Sequence, residues 1–137
     1  MEDVKINVKL KLSALWTTLM FLYIYADILS LFEPGAIEEI IVGDLPIGSQ
    51  ISLLAAAMLM TIPSVMVFLS LALKAKVNRG ANIIAGLFYT GINLFMNLIL
   101  ELLSDAPSAY WIFFACVEIV LSALIVWYAW KWPKQEG

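Results

Sequence analysis

The sequence predicts an all-α protein, an integral-membrane bundle of four helices with both termini on the cytoplasmic side. Three observations carry that prediction. The chain has 137 residues, 63% hydrophobic and only 14% charged, with a mean hydropathy of +0.93, far more apolar than a soluble domain of this size can bury. The apolar residues fall into four runs, each long enough at about 1.5 Å per residue to cross a hydrocarbon core of about 30 Å. Finally, all eight basic residues lie before the first run, between the second and third, or after the fourth, while the two opposite loops carry only acidic charge. A backbone in hydrocarbon must bond within its own segment, so the runs are helices. The positive-inside rule then places the basic segments in the cytoplasm.

The first helix is read at 12–32, after Lys5, Lys9 and Lys11, and is retained: its apolar stretch exceeds a signal-peptide core, and Glu33-Pro34 does not resemble a cleavage site. Pro34 and Gly35 end it. The outer loop 33–50 includes a short interfacial helix at 36–42, with Glu38 and Glu39, and a turn at Asp44-Leu45-Pro46. The second helix, 51–73, contains Pro63, whose missing amide hydrogen frees a carbonyl. The flanking hydroxyls of Thr61 and Ser64 are expected to satisfy the backbone there, or to line a hinge or cavity. Lys74 to Gly80 reads as a basic linker that can also meet anionic headgroups. The third helix follows at 81–103. Asp105 and Pro107 are suited to starting the fourth, 110–130. Trp16, Trp127, Trp130 and Trp132 near the inner ends, with Tyr110 and Trp111 at the outer one, form an aromatic belt. One membrane domain covers 1–137, with membrane lipids as its surroundings.

Composition also excludes functions. Histidine is absent, which removes the commonest metal ligand, haem ligand and general base. There is no phosphate-binding glycine loop and no nucleophile beside a recognisable base, so no catalytic residue, metal or cofactor is assigned and the chain is read as leaning away from an enzyme. Cys116 stands alone and reads as a small packing residue. A net charge of −3 without a basic groove argues against nucleic acid.

The polar residues inside the runs are the candidate site. Asp27 and Glu118 are ionisable groups within membrane helices, where each costs roughly 2.5–3.5 kcal/mol at the centre. Counted from the outer ends, Asp27 lies about 8 Å deep, Asn97 about 9 Å, Glu118 about 12 Å, and Asn93 and Thr61 about 15 Å. Tyr23 and Asp27 share a face at i, i+4, as do Asn93 and Asn97, and Glu118 and Ser122. These stripes are expected to converge in an outer-half polar layer, with Gly86 and Gly91 permitting close approach. No intramembrane Lys or Arg neutralises the two acids.

Two readings of that layer stand. In one it is a helix-pairing core or a cavity for a small ligand or lipid, possible in a homodimer. In the other Asp27 and Glu118 are the proton or cation sites of a proton-coupled transporter of a small cationic or amphiphilic compound, with Asn93 and Asn97 orienting the ligand.

At Tyr25-Ala26-Asp27-Ile28-Leu29-Ser30, Asn78-Arg79-Gly80-Ala81-Asn82-Ile83-Ile84-Ala85-Gly86, Ile112 through Glu118 and Trp127-Tyr128-Ala129-Trp130-Lys131-Trp132, the chain resembles a family of small four-helix membrane proteins of bacteria and archaea known only as a domain of unknown function. More loosely it resembles the DoxX-like four-helix membrane proteins. The resemblance implies a multi-pass protein of a prokaryotic plasma membrane and supplies no activity, cofactor or site residue.

Overall fold

The computed structural model describes residues 5–42 and 50–132; the turn read at Asp44-Leu45-Pro46 and the basic Lys134 lie outside them. Among the described residues the chain is helical throughout, without a strand. Its helices are α1 (Val8–Ser30), the short α2 (Ala36–Val42), α3 (Gln50–Ala72), α4 (Ala75–Leu102) and α5 (Ala109–Trp130). All but α2 are long and apolar enough to cross a membrane.

Helix boundaries follow the caps rather than the apolar runs. Helix α1 begins a turn before its apolar run, because the Asn7 side chain accepts a hydrogen bond from the Lys9 amide at 2.8 Å and caps the first turn. The segment read as a linker from Lys74 to Gly80 is helical from Ala75 onward. Asn78 makes that tight reversal possible, since its Nδ2 donates to the carbonyls of Ser70 (2.7 Å) and Leu73 (3.2 Å) at the end of α3. At the far end of α4, the start of α5 is held by Glu101, whose Oε1 accepts from the Ser108 amide at 2.7 Å. Asp105 does not serve as the cap; Ser108 occupies that position. After α1, Gly35 takes φ +84°, a conformation that favours glycine, and turns the chain into α2.

Helices α1 and α5 carry most of the interhelical packing. Helix α1 packs against α3 and α5; α5 packs also against α4, and α3 meets α4 much less closely. Gly86 makes the α4–α5 contact possible: a Cβ there would lie 2.7 Å from Val126 Cγ2 and 3.2 Å from Ile125 Cγ2. Gly91 does not share that role, for a Cβ added to it meets nothing within 4 Å. Phe21, Phe68, Phe88, Phe95 and Phe113 are exposed around the perimeter, as expected where the surroundings are as apolar as the side chains. In such a setting interhelical packing and hydrogen bonds hold the bundle, since no hydrophobic driving force acts between helices.

One face of α4 supplies most of those bonds. Asn78, Asn82, Gly86, Tyr89 and Asn93 recur at spacings of three and four residues and are all buried. Toward the α3–α4 turn, Trp16 Nε1 donates to Asn82 Oδ1 at 2.7 Å, Ser70 Oγ donates to the same oxygen at 3.3 Å, and Asn82 Nδ2 donates to Asn78 Oδ1 at 2.6 Å. This cluster ties α1, α3 and α4 together. Trp16 is therefore no interfacial anchor: it is fully buried, and its indole N–H is consumed inside the bundle. Trp127 and Trp130, by contrast, are exposed near the end of α5.

The proline in α3 is satisfied from another helix. Pro63 cannot donate to the Leu59 carbonyl four residues earlier, and the hydroxyl of Tyr89 on α4 donates to that carbonyl instead. Thr61 and Ser64 do not take this part; their hydroxyls donate to Ala57 O (2.7 Å) and Met60 O (2.9 Å), carbonyls that proline leaves undisturbed.

The described basic side chains lie at the end where α1 begins, α3 turns into α4 and α5 ends. Arg79 donates from Nε to Ala129 O (3.1 Å) and from Nη2 to Trp130 O (3.2 Å), meeting the free carbonyls of the α5 C-terminus, and lies 5.8 Å from the centre of the Trp130 ring. Lys11 Nζ lies 5.3 Å from the Tyr128 ring centre. At the opposite end Glu33 Oε1 accepts from Ser108 Oγ and Tyr110 Oη, each at 2.8 Å.

Candidate functional site

Helix α4 is interrupted before its final α-helical turn at Leu100–Leu102. Asn93–Ile99 forms a π-helical segment, closed by a bond from the Leu100 amide to the Phe95 carbonyl five residues before it. Such wide turns are uncommon and recur at functional sites. This one carries both Asn93 and Asn97, and nothing in the residue pattern announces it.

Asn93 is the hub of the layer. Its Oδ1 accepts from the Tyr23 hydroxyl of α1 at 2.6 Å and from Asn97 Nδ2 at 3.2 Å. Its Nδ2 donates to the Glu118 carbonyl (3.2 Å) and Ser122 Oγ (3.3 Å) of α5. The amide is thereby fully used, which makes Asn93 a structural joint among α1, α4 and α5 rather than a group with capacity left for a ligand. Asn97 also donates to Glu118 Oε1 at 3.4 Å, and Ser122 Oγ donates to the Glu118 carbonyl at 2.8 Å. Glu118 is only 2% exposed. No buried side-chain oxygen or nitrogen among the described residues lacks a partner, so Glu118 Oε2, which accepts no hydrogen bond there, reaches open space.

That space is a cavity of about 100 Å³ beside the network. Asp27 and Glu118 both line it, together with Tyr23, Tyr89, Trp111 and Phe114. Asn97 contributes to the same wall, and Leu59, Met60 and Ile92 close the side toward α3 and α4. Asp27 lies within electrostatic reach of Glu118, yet its carboxylate accepts no hydrogen bond from any described residue and is exposed. The layer thus contains a fully engaged amide, a carboxylate held by one amide, and a carboxylate held by none.

The structure gathers Tyr23, Asp27, Asn97 and Glu118 around the cavity and places Asn93 behind it. It leaves Thr61 apart: that residue is exposed on α3, bonded to its own helix and outside the cavity wall. Three aromatic contributors had not been singled out as site residues. Tyr89 carries no signal beyond its place in the third apolar run, and Trp111 has the composition and position of an interfacial anchor. Phe114 gives no signal beyond its place one turn before Glu118 on the same face.

Four helices long and apolar enough to cross a membrane, joined by buried polar clusters, define an all-helical membrane protein. The chain belongs to a family of unknown function, DUF6326, whose profile matches residues 3–137. No curated protein and no solved structure was found to match.

Proposed function

We propose that this is a non-enzymatic protein of a prokaryotic cell membrane in which the Tyr23, Asn93, Asn97 and Glu118 network pairs the helices and the adjoining cavity takes a small ligand. Every described Lys and Arg lies at the end where α1 begins and α5 ends, which supports a topology with both termini cytoplasmic and the polar layer in the outer half. The looser likeness to DoxX-like proteins belongs to the same reading. Asp27 is the observation that carries it. Tyr23 and Asn93 are satisfied within the protein and Glu118 is held through one oxygen, whereas this carboxylate meets a cavity of about 100 Å³ without a described partner. An acid at that depth is costly unless something meets it.

A thermal-stability screen with small cationic, neutral and anionic compounds tests the reading. At least one compound is expected to raise the Tm of wild-type protein in nanodiscs saturably, by about 4 °C at tenfold over its Kd. The rise should vanish in Ala26→Leu, which grows a buried side chain on the cavity wall. No shift with any compound contradicts the ligand role and leaves only helix pairing. Liposomes loaded with a pH-reporting dye should stay silent toward the same compound. A response lost in both Asp27→Asn and Glu118→Gln replaces this reading with proton-coupled transport.

A further inference from the structure

We propose that the cavity's occupant is a small alkylated ammonium cation, an inference that rests on the ligand-cavity reading and names the chemistry of its ligand. Size sets the first limit. An apolar cavity of about 150 Å³ holds benzene's six carbons, so one of about 100 Å³ takes four or five heavy atoms.

The wall sets the second. Four aromatic residues line the cavity, Tyr23 from α1, Tyr89 from α4, and Trp111 and Phe114 from α5. Both tyrosine hydroxyls are engaged elsewhere, one with Asn93 and the other with the Leu59 carbonyl, so these two residues offer the cavity chiefly their rings. Aromatic faces carry negative potential and attract cations, most strongly when desolvated. Two carboxylates, Asp27 and Glu118, add charge of the same sign on opposing helices. No Lys or Arg lines the space, and the Asn97 amide is spent on Asn93 and Glu118.

Other ligand classes fit this wall poorly. Calcium or magnesium takes about six or more oxygen ligands, and a zinc site three or four protein ligands. The cavity supplies two carboxylates among rings and methionine, and the described residues hold no group of three or more metal-binding side chains. An anion meets two acids and no cationic side chain, with the Trp111 indole N–H as its one unspent donor among the described residues. A neutral molecule leaves the carboxylates without a counter-charge at a depth where that is costly. An alkylated ammonium matches the whole set, because its methyl groups cover its charge, pack against rings and require few hydrogen bonds.

Equilibrium dialysis of radiolabelled tetramethylammonium against the full chain in phosphatidylcholine nanodiscs tests the proposal, with tert-butanol, its neutral five-heavy-atom counterpart, as competitor. Saturable binding of one cation per chain is expected, with tert-butanol at least about tenfold weaker. Asp27→Asn should weaken the cation at least about tenfold and Trp111→Leu several-fold, both with wild-type helicity, while Asp105→Asn, an exposed acid outside the cavity, should change nothing. Equal binding of tert-butanol, with the cation unaffected by Asp27→Asn, overturns the cation assignment and leaves a ligand cavity standing. Binding of neither probe up to about 10 mM, a free energy weaker than about −3 kcal/mol, overturns the cation assignment. If Ala26→Leu also leaves every response in the compound screen unchanged, the cavity reading falls with it.

Discussion

Replacing Asn93 by leucine is expected to destabilise the protein by about 2–4 kcal/mol, the largest effect of any single substitution in the polar layer. The side chains are similar in size, so the loss reflects bonding rather than volume. Asn93 makes four hydrogen bonds to three helices and is fully buried. Side-chain hydrogen bonds in membrane bundles average about 0.6 kcal/mol and reach about 1.7. Leaving the Tyr23 hydroxyl without its acceptor adds the cost of an orphaned buried group, about 1–3 kcal/mol. Reversible unfolding in mixed micelles measures the change. Asn97→Leu should cost less, about 1 kcal/mol, since that side chain is half-buried and its two bonds are longer, at 3.2 and 3.4 Å. Combining Tyr23→Phe with Asn93→Leu should recover about 1 kcal/mol relative to additive losses, because the orphaned hydroxyl is then gone. An Asn93→Leu protein within about 0.5 kcal/mol of wild type would show that the layer does not hold the bundle.

The second large effect is Tyr89→Phe, expected to cost about 1–2 kcal/mol through one oxygen atom. Its hydroxyl meets the Leu59 carbonyl that Pro63 leaves without an amide donor. Phenylalanine keeps the ring and its edge-on contact with Trp16, whose centroid is 5.9 Å away. In a Pro63→Ala background residue 63 regains an N–H and can supply the bond itself, so the penalty for Tyr89→Phe should fall below about 0.5 kcal/mol. The double-mutant cycle therefore has a coupling energy of about 1 kcal/mol. Equal penalties in the two backgrounds would mean that Tyr89 stabilises the fold by its ring alone.

Much of this architecture could be read without coordinates because hydrocarbon permits so little else. Apolar runs of spanning length must be helices, and the four runs are. Where the helices start could not be read as well, since that is decided by single polar side chains. Asn7 draws α1 back to Val8, and Asn78 draws α4 back to Ala75. That second shift also hid the part Asn78 takes beside Asn82, because a residue assigned to a linker is not placed on a helix face.

The facing of Tyr23, Asn97 and Glu118 follows from i, i+4 spacing, and the structure draws those residues together. The same logic misplaced Thr61, whose depth is suitable but whose direction is set by how α3 packs on α1. Trp16 near a helix end has the composition of a membrane anchor and the position of a core residue; only the Asn82 partner distinguishes them. The π-helical segment escaped entirely, for no residue type marks it. Tyr89 is a different kind of loss. Pro63 implies a freed carbonyl in α3, but the donor that satisfies it is thirty residues away.

The central claim is that Asp27 and Glu118 face a common space which a small molecule enters. A crystal structure from a lipidic mesophase with tetramethylammonium present tests it most directly. The account predicts a discrete density of about five heavy atoms against the Asp27 carboxylate, bordered by Trp111 and Phe114. It is contradicted if Asp27 is turned toward lipid or packed against protein, with no volume between it and Glu118.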